Sequence, residues 1–537
     1  MFRNLRYVLY WKIYYNSTVK TVQAHKQKFI TKGTIKMKNK QKSALAILLI
    51  LAGLLSGVTG CGDSGKQQEE TSGDTDTVAE ETTADPNYVP DDLPECDFGG
   101  KTFKTVTYSN LLNHYTIESE DGDVINDAIY NRNRTVEERF NVKLEAFTPG
   151  NHEATATYII QTVLAQDEEF QLAEEHVVKM GTLVTSDLFM NWYDIPHIDF
   201  SKPWWSKSTT EDLTYGNDIA ILAIGDYTLS ALSGTYCYYF DKKEASDYQI
   251  EDLYKVVNDG KWTIDYVANL AKDIYTDING NSEKDDEDYY GLTESLYSPL
   301  NAYLWAFGGK IYKTDNDGIP QLVYGGEKMN DIFTKLYDLC WNNEGVCTSR
   351  SQYTGEWDML EINKFAFRDD LCLLSPGTLG NAVDSFRTRT HEYGILPYPK
   401  FDEEQKEYKT MVDGFHNISA VPKTISDPEF VGTIIEALNA ESYRQVFPVY
   451  YETALKVKYS YDDESVQMLD MIVNNRVFDF GYVYDGWKGF SFYPQDIVGL
   501  GKSSNFESNY AKKSSASIKY YEDILNFFAD KKAERDG

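Results

Sequence analysis

Lys101–Phe147, KTFKTVTYSNLLNHYTIESEDGDVINDAIYNRNRTVEERFNVKLEAF, is the stretch whose reading decides the fold. Lys101–Ser109 alternates and is rich in β-branched side chains, the pattern of a strand. Ile125, Ile129, Val136 and Phe140 then recur near the helical period, and Asn141–Phe147 alternates again. Strand, helix and strand in succession form a βαβ unit, which predicts an α/β chain with a parallel sheet covered by helices.

Similar punctuation recurs downstream. In TISDPEFVGTIIEALNA, Ser426 and Glu429 stand at capping-box spacing and Pro428 suits a first helical turn. Helices are also expected over 326–341 and 515–531. No fixed period repeats, which argues against a solenoid.

The N-terminal region has a different character. Ala44–Gly60 carries no charge, follows Lys38, Lys40 and Lys42, and ends at Cys61. A basic start, an apolar middle and small residues before a cut describe a secretory signal peptide. Val58-Thr59-Gly60-Cys61 resembles the lipobox of bacterial lipoproteins, in which the cysteine is acylated and becomes the first mature residue. On that resemblance 37–60 is a lipoprotein signal peptide and Cys61 is the lipidation site. Two or more acyl chains, at roughly 0.8 kcal/mol per buried CH₂, make a stable membrane anchor. Met37 is the expected start, and 1–36 is read as an over-extended N-terminus; the alternative is a genuine basic amphipathic segment. Gly62–Glu95 holds 11 acids and one lysine. So little apolar surface predicts a disordered acidic tether over 61–96, with folded protein from Asp97.

Eleven of the 52 basic residues and none of the 84 acids fall in the first 60 positions, so the remaining 477 residues carry a net charge of −43. That surface repels phosphate backbones and excludes nucleic acid as a partner. A chain of this length exceeds one core, so two domains are expected. With Cys61 acylated, five cysteines remain at wide spacing, which is no disulfide scaffold. Cys340 and Cys347 could pair, but a buried free thiol is the expected state of each.

In order, FGGKTFK, GDVINDAIYNRNRTVEERFNVKLE, DFSKPWW, AFGGKI, YGILPYPKFDEEQKEY and VDGFHNISAVPKT are together similar to bacterial extracellular solute-binding lipoproteins of the family 1 type, which serve carbohydrate importers. The resemblance runs from Phe98 to Asp485. It implies a two-lobe periplasmic-binding-protein-like fold, with solute held in an interlobe cleft that closes about a hinge. By analogy 97–232 and 393–440 make lobe 1, and 233–392 and 441–537 make lobe 2. The crossings fall near Asp226–Ser233, near Tyr393 and in the 440s. The implied protein is a monomeric, lipid-anchored receptor on the extracellular side of the membrane. It captures a sugar or oligosaccharide and delivers it to the permease subunits of an ABC importer. Other solutes, peptides included, bind related folds, and a cell-surface glycoside hydrolase is the rival from the enzyme class. No motif supports the rival: HExxH and GxSxG are absent, and DIVGLGKSS (496–504) places Asp496 where a P-loop needs glycine.

Two features carry candidate chemistry. Sugars present apolar C–H faces that stack on aromatic rings and hydroxyls that need oriented partners, and this chain has 41 Tyr, 26 Phe and 9 Trp. Trp204, Trp205, Trp305, Trp357 and Trp487 are the candidate platforms, and Asp226, His416 and Asn417 the polar candidates. For any single tryptophan, core packing competes with that role. Second, DINGNSEKDDED (277–288) sets Asp277, Asn279, Asn281, Asp285 and Asp288 at loop positions 1, 3, 5, 9 and 12, with the Glu283 carbonyl at position 7 and Asp286 beside position 9. Such spacing suits a structural Ca²⁺, although Ser282 replaces the usual glycine at position 6 and Asp288 the usual glutamate at position 12. A solvated acidic turn is the competing reading.

Overall fold

The computed structural model describes residues 88–353, 360–456 and 463–537. The expected leader, Cys61, the tether as far as residue 87, and Trp357 lie outside them. Strands β1 (Lys101–Thr107), β2 (Val142–Phe147) and β3 (Leu172–His176) run parallel in the order β3-β1-β2, with Val106 opposite both Phe147 and Ala173. Helix α1 (Val124–Phe140) makes the first crossover. The Asp123 carboxylate caps it on Ile125 N and Asn126 N, and Asn141 ends it in the left-handed region at φ +47°. Helix α2 (His152–Leu164) makes the second, capped by Asn151. The βαβ unit is therefore as the alternating and helical periods require.

A second sheet is built from β4 (Tyr236–Asp241), β5 (Tyr275–Thr276), β6 (Tyr289–Thr293), β9 (Val346–Cys347), β10 (Cys372–Thr378) and β11 (Tyr393–Leu396). Its order is β11-β4-β10-β6-β5, with β9 also on β6. Between them β7 (Tyr312–Thr314) and β8 (Pro320–Leu322) form a hairpin, and β12 (Thr410–Met411) pairs with β14 (Arg476–Val477). All six residues of β4 are buried, as a strand covered on both faces requires.

The chain leaves the first sheet through the short helix Leu229–Ser233. Two other borders differ from the expectation. Tyr393–Leu396 does not return to lobe 1: it pairs antiparallel with β4, Gly394 opposite Phe240. The return comes later, when β13 (Asn417–Ala420) pairs antiparallel with β3. An apolar strand run shows that a strand exists but not which sheet receives it. Likewise α3 (Pro428–Glu441) runs on through Ser442–Val446 against α1, where Arg132 donates to Ser442 Oγ at 3.3 Å and Gln445 to Thr135 Oγ1 at 3.1 Å. Residues just past 440 thus still belong to the first lobe. The cap of α3 is Asp427, which accepts from Phe430 N; the Ser426 hydroxyl turns to Glu168 instead.

The N-terminal border also moves. Asp91, expected in the tether, takes both arms of Arg139 (2.6 and 3.0 Å) and one of Arg444 (3.2 Å), while Val89, Leu93 and Cys96 pack on the first core. Charge-assisted pairing of one acid with two arginines holds a segment whose composition alone reads as disordered. The last helix, α4 (Phe506–Asp536), is longer than the period-based 515–531. Its first turn meets the second lobe, where Asn330 donates to Glu507 at 2.9 Å. Its last turns meet the first, where Lys532 reaches Asp218 at 2.9 Å. Cys96, Cys237, Cys340, Cys347 and Cys372 are free thiols. No helix among the described residues is long and apolar enough to cross a membrane.

Candidate functional site

Ligands of open α/β sheets bind beyond the carboxyl ends of the parallel strands, where loops and helix N-termini converge. Here that edge gathers Tyr108 after β1, His152 at the start of α2 and His176 at the end of β3, with ring centroids 5.4–6.5 Å apart. A strap, Asp413–His416, crosses this edge on its way back to β13. Tyr108 OH donates to the Phe415 carbonyl, and Val177 N donates to the His416 carbonyl at 2.9 Å. From the second lobe, Tyr236 OH donates to the Asp413 carboxylate, and Asp413 N donates to Gly234 O at 2.8 Å. The indole of Trp487 lies over His176 at 5.7 Å.

Most aromatic rings among the described residues are buried, so the informative ones are those left in solvent. Phe415 is 36% exposed and Trp487 50% exposed; Trp487 lies against His176, and the Phe415 ring of the strap rests near Gly234. The imidazoles at this edge are held below their ordinary range. Burial pulls the His176 imidazole down to about 3, with His152 and His416 adding to the effect. Burial likewise lowers His416 to about 4 and holds His152 below its ordinary value. Burial pushes the Asp413 carboxyl up, and pushes Glu175 well above the usual carboxylate range. Glu175 Oε1 accepts from His176 N at 2.8 Å, and its Oε2 is buried with no hydrogen-bond partner among the described residues. The arrangement offers apolar ring faces beside neutral donors and acceptors, which fits an uncharged solute with both a flat apolar face and hydroxyls.

Of the sequence candidates among the described residues, only Trp487 presents an exposed ring to this edge. Trp204 and Trp205 are buried in the first core, and their Nε1 groups donate to the two oxygens of Glu436 at 2.8 and 2.9 Å. Trp305 is buried in the larger core and donates to Asp479 Oδ2 at 3.1 Å. His416 lies beneath the strap, its Nδ1 hydrogen-bonded to the Asp413 carbonyl at 2.6 Å. Asn417 is buried and donates to Tyr115 OH (2.7 Å) and Thr107 Oγ1 (3.0 Å). Asp226 is buried near the Arg476 charge, and desolvation drives its carboxyl well above the ordinary range. Tyr108, His152, His176 and Phe415 escaped the sequence reading. Tyr108 was within reach, because it directly follows the β-branched run of β1.

The 277–288 loop lies apart from this edge, beside β5 and β6. Asp277 accepts from Gly280 N (2.6 Å) and Ser282 N (2.9 Å), and Asn281 Nδ2 donates to Asp285 at 2.6 Å. Ser282 sits at φ +65°, the left-handed conformation for which glycine is usual at that position. Asp288 accepts from Tyr275 OH at 2.6 Å and from Ile278 N at 3.2 Å. Asp286 turns outward and accepts from Ser351 N and Oγ at 2.8 Å each.

No protein-family model matches the chain, and no curated protein matches its sequence. Solved structures do match its fold. UspC of M. tuberculosis superposes with a TM-score of 0.52 at 10% identity, covering 78% of this chain and 99% of that one. The galacto-N-biose/lacto-N-biose I-binding protein of an ABC transporter from Bifidobacterium longum, solved with lacto-N-biose, gives 0.50 at 12% identity, covering 80% and 98%. The chain therefore has the two-lobed α/β fold of periplasmic-binding-protein type.

The buried acids set a pH dependence. Burial raises Glu174 and Glu436 to about 7 and Glu294 to about 8. A carboxyl raised on folding stabilises the native state below its unfolded pKa, and that stabilisation is lost as pH climbs through the folded value. The depressed histidines act oppositely, but only below their unfolded value near 6.5. Between pH 6.5 and 8.5 the carboxyls act alone, so the melting temperature is expected to fall across that interval in matched-ionic-strength buffers. A flat or rising profile would show that these carboxyls are ionised without cost.

Proposed function

We propose that this protein is an extracytoplasmic solute-binding protein that captures a carbohydrate between its lobes and hands it to an ABC importer. The observation that carries the reading is the edge beyond β1 and β3. There the exposed Trp487 ring lies against the neutral imidazole of His176, whose backbone N–H is taken by the buried Glu175, and the exposed Phe415 ring stands on the strap. Ring faces stack on the C–H face of a pyranose, and neutral polar groups pair with its hydroxyls without paying to desolvate a charge. The B. longum protein of like fold binds lacto-N-biose, which supports the substrate class. The strap ties Tyr108 of one lobe to Tyr236 of the other, so a solute touching both lobes draws on contacts made only when they close. Binding needs no bond-making, and ATP hydrolysis belongs to the importer.

A panel of oligosaccharides, peptides and polyols in a thermal-shift assay tests this. A sugar at 100 times its Kd is expected to add about 2.7 kcal/mol of stability. Trp487→Ala is expected to weaken its binding about tenfold, about 1.4 kcal/mol. Stabilisation by peptides alone would transfer the site to another solute class, and steady release of shorter sugars would make the protein a hydrolase.

The lipobox-like Val58–Cys61 supports tethering through acylated Cys61, with the protein facing outward. Cys61→Ala is expected to leave the protein unprocessed or shed from the membrane fraction; cleavage at the same place with full membrane retention would refute the anchor.

Calcium in the 277–288 loop would be structural, since the loop stands away from the ring-lined edge. Asp277, Asn279, Asn281, Asp285 and Asp288, the Glu283 carbonyl and, less directly, Asp286 would supply oxygens. The left-handed Ser282 and the curl of backbone amides onto Asp277 support that reading. Chelation is expected to lower the melting temperature, calcium to restore it, magnesium to restore it much less, and Asp277→Ala to abolish the response. Identical melting curves with calcium and with chelator would leave the loop an acidic turn.

A further inference from the structure

The exposed indole at the ring-lined edge stands on a backbone that does not favour it. Gly486 has φ +53° and Trp487 φ +58°, so two consecutive residues adopt the left-handed region. Glycine takes that conformation freely, whereas for a bulky side chain it is strained and persists only where surrounding structure enforces it. The enforcing structure is α4. Ser517 Oγ donates to the Lys488 carbonyl at 2.7 Å. Tyr521 OH donates to the Gly481 carbonyl and to Asp485 Oδ2 (3.3 Å), the carboxylate that also accepts from Ser491 N at 3.0 Å. Lys488 Nζ lies 4.8 Å over the Tyr520 ring. Ser517, Tyr520 and Tyr521 are spaced i, i+3, i+4 and so share one helix face.

The fit leaves no slack. A Cβ at Gly489 would stand 1.9 Å from Tyr521 OH, and one at Gly486 would stand 2.3 Å from Tyr520 OH. The helix itself is fixed at both ends. Phe506 packs on Phe333 with centroids 4.9 Å apart, and Lys531 reaches Asp187 at 3.1 Å.

We propose that Ser517, Tyr520 and Tyr521 of α4 are positioning residues for the Trp487 platform. They hold its loop in the left-handed geometry that turns the indole over His176, without touching solute themselves. The assignment of Trp487 as a platform rests on the carbohydrate reading above; the positioning of its ring does not.

The test uses 5-fluorotryptophan-labelled protein and ¹⁹F NMR without ligand, with the Trp487 resonance identified as the one missing from Trp487→Phe. In Ser517→Ala/Tyr521→Phe, which removes two hydroxyls and no ring, that resonance is expected to shift toward the position of solvent-exposed indole while the other tryptophan resonances hold. An unmoved Trp487 resonance with the others in place would overturn the proposal. Should the double variant lose the dispersion of all its resonances, Ser517→Ala alone carries the same expectation and the same refutation. Affinity is read in parallel with lacto-N-biose and maltotriose as probes, and the loss expected in the double variant is about fivefold. If neither sugar binds any form of the protein, the carbohydrate reading fails while the ¹⁹F result still decides the positioning.

Discussion

One turn of backbone, Asp413–His416, holds the two halves of the site in register. Its carboxylate is taken by Tyr236 at the start of β4, and its Phe415 carbonyl by Tyr108 at the end of β1. The segment thus receives hydrogen bonds from both lobes in a half-buried setting, Val177 N adding its bond to the His416 carbonyl. With both tyrosines committed, the Phe415 ring projects into solvent and the His416 ring is folded beneath. The order of the sheets follows from the same segment, since β13 begins directly after it and pairs with β3.

The aromatic richness of the chain has a polar counterpart inside the core. Indole N–H groups buried without acceptors would be unsatisfied, so carboxylates go in with them: Glu436 under Trp204 and Trp205, Asp479 under Trp305. Burial raises both acids, Glu436 to about 7 and Asp479 to about 6. These pairs resemble a binding motif in composition, Trp beside acid, and serve packing. The solvent-facing ring, Trp487, has no such carboxylate partner among the described residues, and its loop is packed against α4.

The same division separates ion pairing that builds the fold from clusters that merely look chemical. Asp241, Asp370 and His391 bring three potential metal ligands together, yet Arg389 sits among them at 2.5 Å from Asp241 and 2.8 Å from Asp370 and occupies their charge. Asp91 does comparable work for the N-terminal segment by joining Arg139 and Arg444.

Local order was legible in the linear sequence wherever a period or a cap carried it. The βαβ unit from Lys101 and the helix after Pro428 could both be read, because strand alternation, helical spacing and proline restrictions act between near neighbours. The docking of residues 88–96 could not be read, since Asp91 meets Arg139 and Arg444 across 48 and 353 positions. For the same reason β11 was read into the wrong lobe: pairing partners are chosen by register across a sheet. Which aromatic rings face solvent was likewise settled only by packing. Composition counts rings, while exposure depends on what covers each one, and three of the site's five principal groups, Tyr108, Phe415 and Trp487, come from loops far apart in the chain. The linear pattern is enough for the α/β class and the acidic surface, because alternation, helical spacing and charge count are local or additive; that Trp487, and not Trp204, Trp205 or Trp305, stands in solvent is a matter of packing, since Glu436 and Asp479 accept from the three buried indoles while Asp485 beside Trp487 is taken by Tyr521 and Ser491.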